Sequence, residues 1–373
     1  MKYYLIAGEA SGDLHGSNLI KALRKEDPEA DIRAWGGDLM QEAGAVLVKH
    51  YRDLAFMGFA EVVKNLPTIL RNMRFCKSDI LQFQPDVLIL IDYPGFNLRI
   101  AKWAKTQQQR VFYYISPQLW AWHSSRVKII QRSVERMYVI LPFEQAFYQK
   151  YGYEVDFPGH PLLDVVEQHP MDSDLRAAYQ LPDKPLVALL PGSRRQEISR
   201  MLEVMLEVMP QFPDFHFVIA GAPAIPEDFY HQILSESAMS QQVTLIQNRT
   251  YDLLRQASAA VVTSGTATLE TALFGVPEVV CYRGSKLSYW IARRVVSVPY
   301  ISLVNLIADQ PLVQELIQED CNAANISAAL RHLLDPVAVP SIQEGYALLR
   351  EQLGTAGASE RAARMMVGRM KGG

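Results

Sequence analysis

Two short segments in the second half of the chain have the residue types of a phosphate-binding site. Segments 191–194 and 264–266 each contain a glycine, follow an apolar run and precede an amphipathic stretch. A glycine lets the backbone approach a ligand closely, and the start of a helix offers unpaired N–H groups at the positive end of its dipole. Arg194 adds a fixed positive charge suited to phosphate. The two turns therefore predict a pair of anion sites.

Two more polar residues accompany these turns. Glu270 lies about one helical turn beyond the second segment, where a carboxylate could hold ribose hydroxyls. Asn305 is the polar tip of the apolar stretch 300–305, and because a buried Asn must be hydrogen-bonded, it either braces a loop or touches a nucleotide. Together these features are typical of the nucleotide-diphosphate half of a sugar transferase. The predicted nucleotide-binding residues are Gly192, Ser193, Arg194, Ser264, Gly265, Thr266, Glu270 and Asn305.

Asp92 is the candidate general base in the first half. It directly follows the apolar run 87–91, which predicts a position at the carboxyl end of a buried strand. Apolar walls at that place would raise its pKa and make it a better base at neutral pH. The alternative is an aspartate that only caps a turn or a helix before Pro94 and Gly95, and Glu9 is the main rival for the role of base.

The turn 8–13 follows the first predicted strand and opens a helix. It lacks the G-x-G-x-x-G spacing of dinucleotide sites, so we expect no dinucleotide cofactor. The turn lies at the end of a strand, which favours contact with a substrate through Glu9 and Ser11. The alternative is an ordinary turn in which Asp13 is the N-cap of the helix. His160, at the predicted domain junction, is either a structural histidine or a ligand of a phosphate or sugar oxygen.

The sequence has one spacing that could suggest a metal. Residues 172–174 have the D-x-D pattern with which metal-dependent sugar transferases hold a diphosphate. The segment is polar and lies just before a predicted helix, so a solvent-facing helix cap is the better interpretation. His, Cys and Asp residues elsewhere have no convincing ligand spacing. We predict no metal and no cofactor.

Composition bounds the class of protein. A length of 373 residues predicts two domains, and 49% hydrophobic with 21% charged residues is globular. A net charge of -3 argues against a general nucleic-acid binder. Three distant cysteines and no export signal indicate a reducing cytoplasm. No apolar run approaches the roughly 20 residues that span a bilayer, so we expect any membrane contact to be peripheral.

Strand and helix patterns alternate along the chain. We predict two doubly wound α/β domains, 1–165 and 166–340, with the helical tail 341–373 packing back on the first. The predicted strands are 3–7, 32–35, 87–91, 111–115, 137–140, 186–190, 215–220, 243–246, 259–262 and 279–282. The predicted helices of the first domain are 13–25, 61–83, 98–108 and 142–151.

One amphipathic stretch is rich in both apolar and basic residues. Lys64, Arg71, Arg74 and Lys77 lie on faces other than the apolar one, and Pro67 is expected to divide the stretch. It is either a helix that packs on the core or an interfacial helix that lies on a membrane. The apolar residues at helical spacing are Met57, Phe59, Val62, Val63, Leu66, Ile69, Leu70 and Met73.

Taken in order, these segments resemble the lipid-A-disaccharide synthases, a GT-B glycosyltransferase family of Gram-negative outer-membrane biosynthesis. The resemblance extends to about residue 320. The segments that carry it are Ala7-Gly8-Glu9-Ala10-Ser11-Gly12-Asp13, Met57-Gly58, Ile91-Asp92-x-Pro94-x-Phe96-Asn97, Ser116-Pro117-x-x-Trp120-Ala121-Trp122, Leu141-Pro142-Phe143-Glu144, Gly159-His160, Leu190-Pro191-Gly192-Ser193-Arg194, Ser264-Gly265-Thr266-Ala267-x-Leu269-Glu270 and Ser302-Leu303-x-Asn305.

The resemblance implies a GT-B fold, in which two Rossmann-like domains face each other across a cleft. It implies transfer of sugar from UDP-2,3-diacylglucosamine to 2,3-diacylglucosamine 1-phosphate with inversion, giving the beta-1,6-linked disaccharide 1-phosphate and UDP. It also implies that Glu270 grips the ribose, that Asn305 lies near the UDP, and that the enzyme sits peripherally on the cytoplasmic face of the inner membrane. Some relatives carry a second Asp at Gly95, so Asp92 is here the single candidate base.

Other interpretations stay open. A UDP-GlcNAc 2-epimerase, or the transferase that makes peptidoglycan lipid intermediates, would share the nucleotide half. A non-catalytic nucleotide-sugar binding protein is the alternative of a different class. Exchange of the helical tail between subunits would make a homodimer, which the sequence leaves undecided.

Overall fold

The computed structural model describes residues 1–53, 66–121, 124–170, 174–236, 242–284 and 298–372. It divides into two compact units, Met1–Asp164 with Thr355–Gly373, and Val165–Gly354. Residues 341–373 are predicted to pack as one piece on the first domain. In the structure the helix Val339–Leu353 belongs to the second unit, because it packs on the helices Thr266–Leu273 and Leu303–Ala308 and ends at Gly354 with a φ of 90°.

In the described part of the first unit, six parallel strands form one sheet in the order β3-β2-β1-β4-β5-β6. The strands are β1 Lys2–Ile6, β2 Asp31–Gly36, β3 Val46–His50, β4 Val87–Ile91, β5 Val111–Tyr114 and β6 Arg136–Tyr138. The helices are Ala10–Glu26, Asp38–Glu42, Tyr51–Asp53 (3-10), Leu66–Phe83, Pro94–Thr106, Ser124–Arg126 (3-10), Val127–Ser133, Pro142–Gln149 and Ala358–Lys371.

The second unit repeats this plan. Its described residues form a six-stranded parallel sheet in the order β12-β11-β10-β7-β8-β9. The strands are β7 Leu186–Leu190, β8 His216–Gly221, β9 Val243–Gln247, β10 Ala257–Thr263, β11 Glu278–Tyr282 and β12 Gln314–Ile317. The helices are Leu162–Gln168, which crosses the unit boundary, Leu175–Ala178, Arg195–Leu206, Met209–Gln211 (3-10), Glu227–Ser235, Thr250–Gln256, Thr266–Leu273, Leu303–Ala308, Gln318–Asp320 (3-10), Ala323–Leu333 and Val339–Leu353.

The prediction of two doubly wound α/β domains is confirmed, and each predicted strand agrees with the structure to within two residues at either end. Two strands were not predicted, β3 and β12. Both are edge strands that pair on one side only and are mostly half-buried, so they lack the continuous apolar run that marks the central strands. Because all strands within each sheet are parallel, their carboxyl ends lie along one edge, where α/β proteins bind ligands.

The ends of helices differ more from expectation. The first helix begins at Ala10 rather than at Asp13, with Glu9 as its N-cap. The helix Pro94–Thr106 begins four residues earlier than predicted, since Pro94 fits the first turn of a helix. The part of the amphipathic stretch that the structure describes begins at Leu66, with Pro67 in its first turn. No helix among the described residues is both long and apolar enough to cross a bilayer.

Candidate functional site

Asp92 lies where β4 ends, at the carboxyl edge of the first sheet. Asp92 and Tyr93 have φ angles of 42° and 48°, so both occupy the left-handed region. Such a conformation costs on the order of 1–3 kcal/mol per residue and persists only where surrounding contacts impose it. Gly8 is one such neighbour, because a Cβ at this position would lie 2.3 Å from Cγ of Tyr93.

Hydrogen bonds fix the Asp92 backbone on both sides. Its amide donates to the Tyr114 carbonyl at 3.2 Å. Its carbonyl accepts from the Tyr113 hydroxyl at 2.5 Å and from Asn97 Nδ2 at 2.8 Å. Asn97 is fully buried and also donates to the Ile6 carbonyl at 3.2 Å, which ties the ends of β1 and β4 together. The backbone of Asp92 is thus held in place by hydrogen bonds to β5 and to the helix that follows β4.

The environment of the Asp92 carboxyl group favours a base that works near neutral pH. Loss of water around it, with a smaller contribution from the charge of Glu9, raises the pKa of Asp92 to about 7. Glu9 itself is the partly exposed N-cap of the first helix. The two carboxyl groups are therefore close enough for the charge of Glu9 to act on Asp92.

Asp13 does not cap its own helix. Its carboxylate accepts from the amides of Gly37, Leu39 and Met40 at 2.7, 3.2 and 3.0 Å, which caps the next helix, Asp38–Glu42. The interpretation of Asp13 as the N-cap of the first helix is therefore wrong. Ser11 is exposed in the same turn, and its substrate contact stays a prediction.

His160 is buried, and a second buried histidine that was not predicted as a site residue, His15, lies near enough to affect its pKa. Its Nδ1 accepts from the Leu162 amide at 3.2 Å, so Nε2 carries the ring proton. Burial, and the nearby His15, lower the pKa of His160 to about 3, and burial lowers that of His15 to about 4. Both rings are neutral at physiological pH, so His160 could serve a phosphate or sugar only as an N–H donor. The sequence signal that could have identified His15 is its position on the side of the first helix that faces the sheet.

Glu144 is another carboxyl group of this unit and is 1% exposed. It accepts from the amides of Ile140 and Leu141 at 3.2 and 3.0 Å and from Trp120 Nε1 at 3.2 Å. Burial dominates over these bonds and raises the pKa of Glu144 to about 7. Glu144 has no predicted role, although a Glu three residues after the N-cap is the spacing of a capping box.

In the second unit, the turn at Gly192 follows β7. Gly192 has a φ of 116°, which favours glycine. Arg194 is the N-cap of the helix Arg195–Leu206, and its side chain is 56% exposed. Glu197, which the sequence analysis did not single out, accepts from the Ser193 amide at 3.3 Å and from Arg194 Nη1 at 3.2 Å. A carboxylate thus contacts two of the groups predicted to bind phosphate.

The turn at Ser264–Gly265 follows β10, which pairs directly with β7 through Val262 and Leu190. Neighbouring strands lie about 4.8 Å apart, so the two predicted anion turns are close together, as paired sites require. The Ser264 amide donates to the Cys281 carbonyl at 2.9 Å. Gly265 and Thr266 are exposed at the start of the helix Thr266–Leu273.

Glu270 and Asn305 differ in the exposure and the hydrogen bonding of their side chains. Glu270 is partly exposed, accepts from the Tyr251 hydroxyl at 3.1 Å and has a pKa raised by burial. Asn305 is buried and braces a loop: its Nδ2 donates to the Val313 carbonyl and to Glu315 Oε1, both at 2.9 Å, and its Oδ1 accepts from the Val313 amide at 2.8 Å. Of its two predicted roles the structure shows the brace, and nucleotide contact stays a prediction.

The predicted acyl or membrane set is only partly described. Met57, Phe59, Val62 and Val63 lie outside the described residues, as does the Leu66 side chain. Leu70 is 50% exposed and Ile69 is partly buried. Met73 is buried in the core against the sheet, so its assignment to a membrane or acyl surface is wrong.

Residues 172 and 173 of the D-x-D spacing also lie outside the described residues. Asp174 is at the N-cap of Leu175–Ala178, and its carboxylate accepts from Arg249 Nη2 at 2.7 Å. In the described parts of the chain no group of three or more His, Cys, Asp or Glu side chains could hold a metal ion. The absence of a metal stays a prediction.

The sequence is similar to one family over almost its full length. The family model described as lipid-A-disaccharide synthetase matches residues 3–366. A lipid-A-disaccharide synthase of Syntrophus aciditrophicus is 44% identical over 367 residues, which cover 97% of this chain and 96% of that protein. A lipid-A-disaccharide synthase of Geobacter sulfurreducens is 40% identical over 365 residues, which cover 96% and 94%.

Solved structures resemble the fold at low sequence identity. A UDP-GlcNAc 2-epimerase from Neisseria meningitidis bound to UDP-GlcNAc matches with a TM-score of 0.70 at 14% identity, covering 99% of this chain and 100% of that one. The glycotransferase of kitacinnamycin matches with a TM-score of 0.68 at 15% identity, covering 99% and 98%. The fold is therefore of the two-domain GT-B type.

Proposed function

Because this chain belongs to the lipid-A-disaccharide synthase family, we propose that it transfers the sugar of UDP-2,3-diacylglucosamine to 2,3-diacylglucosamine 1-phosphate. Members of the family are glycosyltransferases of lipid A biosynthesis, and a UDP-sugar is the donor that the family suggests. The match over residues 3–366 carries the proposal, since it includes both units. A UDP-GlcNAc 2-epimerase function is not favoured, because the similarity to the solved epimerase has only 14% sequence identity and concerns the fold alone.

The donor site is proposed at the two turns of the second unit. During transfer, negative charge builds on the departing UDP diphosphate. The exposed helix starts at Arg194 and Gly265 and the Arg194 guanidinium have the chemistry to stabilise that charge. Glu270 is partly exposed, which fits a contact with ribose hydroxyls. To bind the diphosphate, the Ser193 amide and Arg194 would exchange Glu197 for phosphate oxygens.

The base is proposed to be Asp92. As the acceptor's primary hydroxyl attacks the anomeric carbon, its proton passes to the Asp92 carboxylate, and the bond from that carbon to the diphosphate oxygen breaks. An alpha-linked donor gives a beta-linked product, so one displacement with inversion accounts for the stereochemistry. The raised pKa of Asp92, about 7, supports this role, because a base is most effective when its pKa lies near the working pH.

Synthetic donor and acceptor lipids, incubated with the protein and followed by mass spectrometry, test the activity directly. The expected products are the disaccharide 1-phosphate and UDP. UDP-GlcNAc supplied alone separates this function from epimerisation, which needs neither acyl chains nor an acceptor. A second incubation with EDTA tests the metal prediction, and loss of activity there would contradict it.

Peripheral contact with the cytoplasmic face of the inner membrane is proposed through the amphipathic stretch. We expect Leu70→Ser to reduce recovery of the protein with anionic phospholipid vesicles about tenfold, since burying a Leu contributes about 1.5–3 kcal/mol. Leu70 is half exposed, so the substitution should leave the unfolding temperature close to that of the wild type. Vesicle sedimentation and thermal unfolding measure the two quantities.

The matched control is Leu348→Ser. Leu348 is 56% exposed on the helix Val339–Leu353 of the second unit, outside the amphipathic stretch, so its substitution should leave vesicle recovery unchanged. Equal recovery of the two variants would contradict the interfacial interpretation. Met73 is left intact in this test because it is part of the core.

A further inference from the structure

Glu315, on the edge strand β12, accepts hydrogen bonds from a neighbouring loop. Its oxygens accept from the Ile301 amide at 3.2 and 3.0 Å, from the Ser302 amide at 2.9 Å and from the Ser302 hydroxyl at 2.8 Å. Asn305 Nδ2 also donates to it at 2.9 Å. Ionised carboxylates only accept hydrogen bonds, so the residue type matches this set of donors.

The same loop contacts the second anion turn. The Ser264 hydroxyl donates to the Ile301 carbonyl at 2.9 Å. That carbonyl and the Ser302 amide belong to one planar trans peptide, so they point in opposite directions. Because the N–H of this peptide donates to Glu315, its C=O points away from Glu315. On that side the C=O accepts the hydrogen bond from Ser264. One rigid peptide unit therefore links Glu315 to the turn.

The Ser264 backbone is fixed from another side by β11, because its amide donates to the Cys281 carbonyl at 2.9 Å. Backbone and hydroxyl of Ser264 are thus held by different elements, and the hydroxyl contact depends on the loop that Glu315 orders. Ser302 and Asn305 are buried, with 0% and 1% exposure, so the loop is built into the unit. An anion site stabilises a developing charge best when its donors are already in place.

We propose that Glu315 is a positioning residue that orients the turn at Ser264–Gly265 for the donor's diphosphate. It acts through the Ile301–Ser302 peptide and touches no substrate. The inference rests on the proposed function, since it takes the turn as the site of UDP. Asn305 contacts the same carboxylate once, through Nδ2, in addition to its two bonds to Val313.

A double-mutant cycle tests this role. Glu315→Gln keeps the shape of the side chain but replaces one acceptor oxygen by an N–H donor, and Ser264→Ala removes the link at the other end. Each is expected to weaken UDP binding about tenfold, and the double variant should bind no more weakly than either single one, since both break the same path. Calorimetry with UDP measures the affinities.

The cycle separates positioning from general stabilisation. If Glu315 only stabilised the unit, the two losses of affinity would multiply, and that result would overturn the proposal. Unchanged UDP affinity in Glu315→Gln would overturn it as well. Gln314→Ala, an exposed neighbour on β12, is the matched control and should bind UDP like the wild type. Failure of the wild-type protein to bind UDP would instead overturn the proposed function.

Discussion

Asp92→Asn is expected to lower turnover by about 10²- to 10⁴-fold, the usual contribution of a positioned general base. Asparagine keeps the shape of the side chain and can adopt the left-handed backbone that Asp92 has, with a φ of 42°. The hydrogen bonds that hold this position involve its backbone, which accepts from Tyr113 and Asn97 and donates to the Tyr114 carbonyl. The variant should therefore fold normally and bind UDP with unchanged affinity, which steady-state kinetics and calorimetry can measure.

The pH dependence gives an independent check. A base must be deprotonated, so activity should fall as the pH drops through about 7, the raised pKa of Asp92. Above that pH Asp92 is deprotonated, so its ionisation should no longer change the rate. In Asp92→Asn the acidic limb should disappear along with most of the rate. Survival of the limb in this variant would assign it to another group.

Glu9→Gln separates the main rival from Asp92. The charge of Glu9 contributes to the raised pKa of Asp92, so its removal should move the acidic limb to lower pH while the limb itself remains. If Glu9 were the base, this variant would lose the rate instead. Loss of UDP binding in Asp92→Asn would point to a structural role for Asp92.

The central strands and the order of the motifs could be predicted because both depend on local sequence. Runs such as Val87–Ile91 and Leu186–Leu190 are buried on both faces of a sheet and are therefore apolar throughout. The position of Asp92 and of the two glycine turns follows from this, since each comes directly after such a strand. Edge strand β12 has no such run, and Glu315 was missed with it.

The remaining site residues depend on contacts between distant parts of the chain. Asp13 caps a helix that begins 25 residues later, at Asp38. His15 contributes to the lowered pKa of His160, although 145 positions separate the two residues in the sequence. Spacing along one segment carries no information on such partners. The choice for Asn305 between a brace and a nucleotide contact was open for the same reason.

Arg194→Ala is expected to lower kcat/KM about a hundredfold, because removing one preorganised donor to a developing charge costs about 3 kcal/mol. The Arg194 side chain is 56% exposed, so its loss should have little effect on the stability of the fold. Its guanidinium contacts Glu197 at 3.2 Å, and transfer of this contact to the diphosphate would keep the charge paired throughout. Steady-state kinetics with the lipid donor, together with thermal unfolding, would measure both effects.

Arg195→Ala is the matched control, one residue further along the same helix. The Arg195 guanidinium lies over the Phe229 ring, 4.6 Å from its centroid, so this charge is directed to a different neighbour. We expect its removal to change kcat/KM by less than about threefold, in line with a charge that makes no contact with the reacting groups. Retention of more than about a tenth of the activity in Arg194→Ala would contradict the assignment of the first anion turn. An equal loss in both variants would indicate that general positive charge near the helix start, rather than the Arg194 contact, supports the reaction.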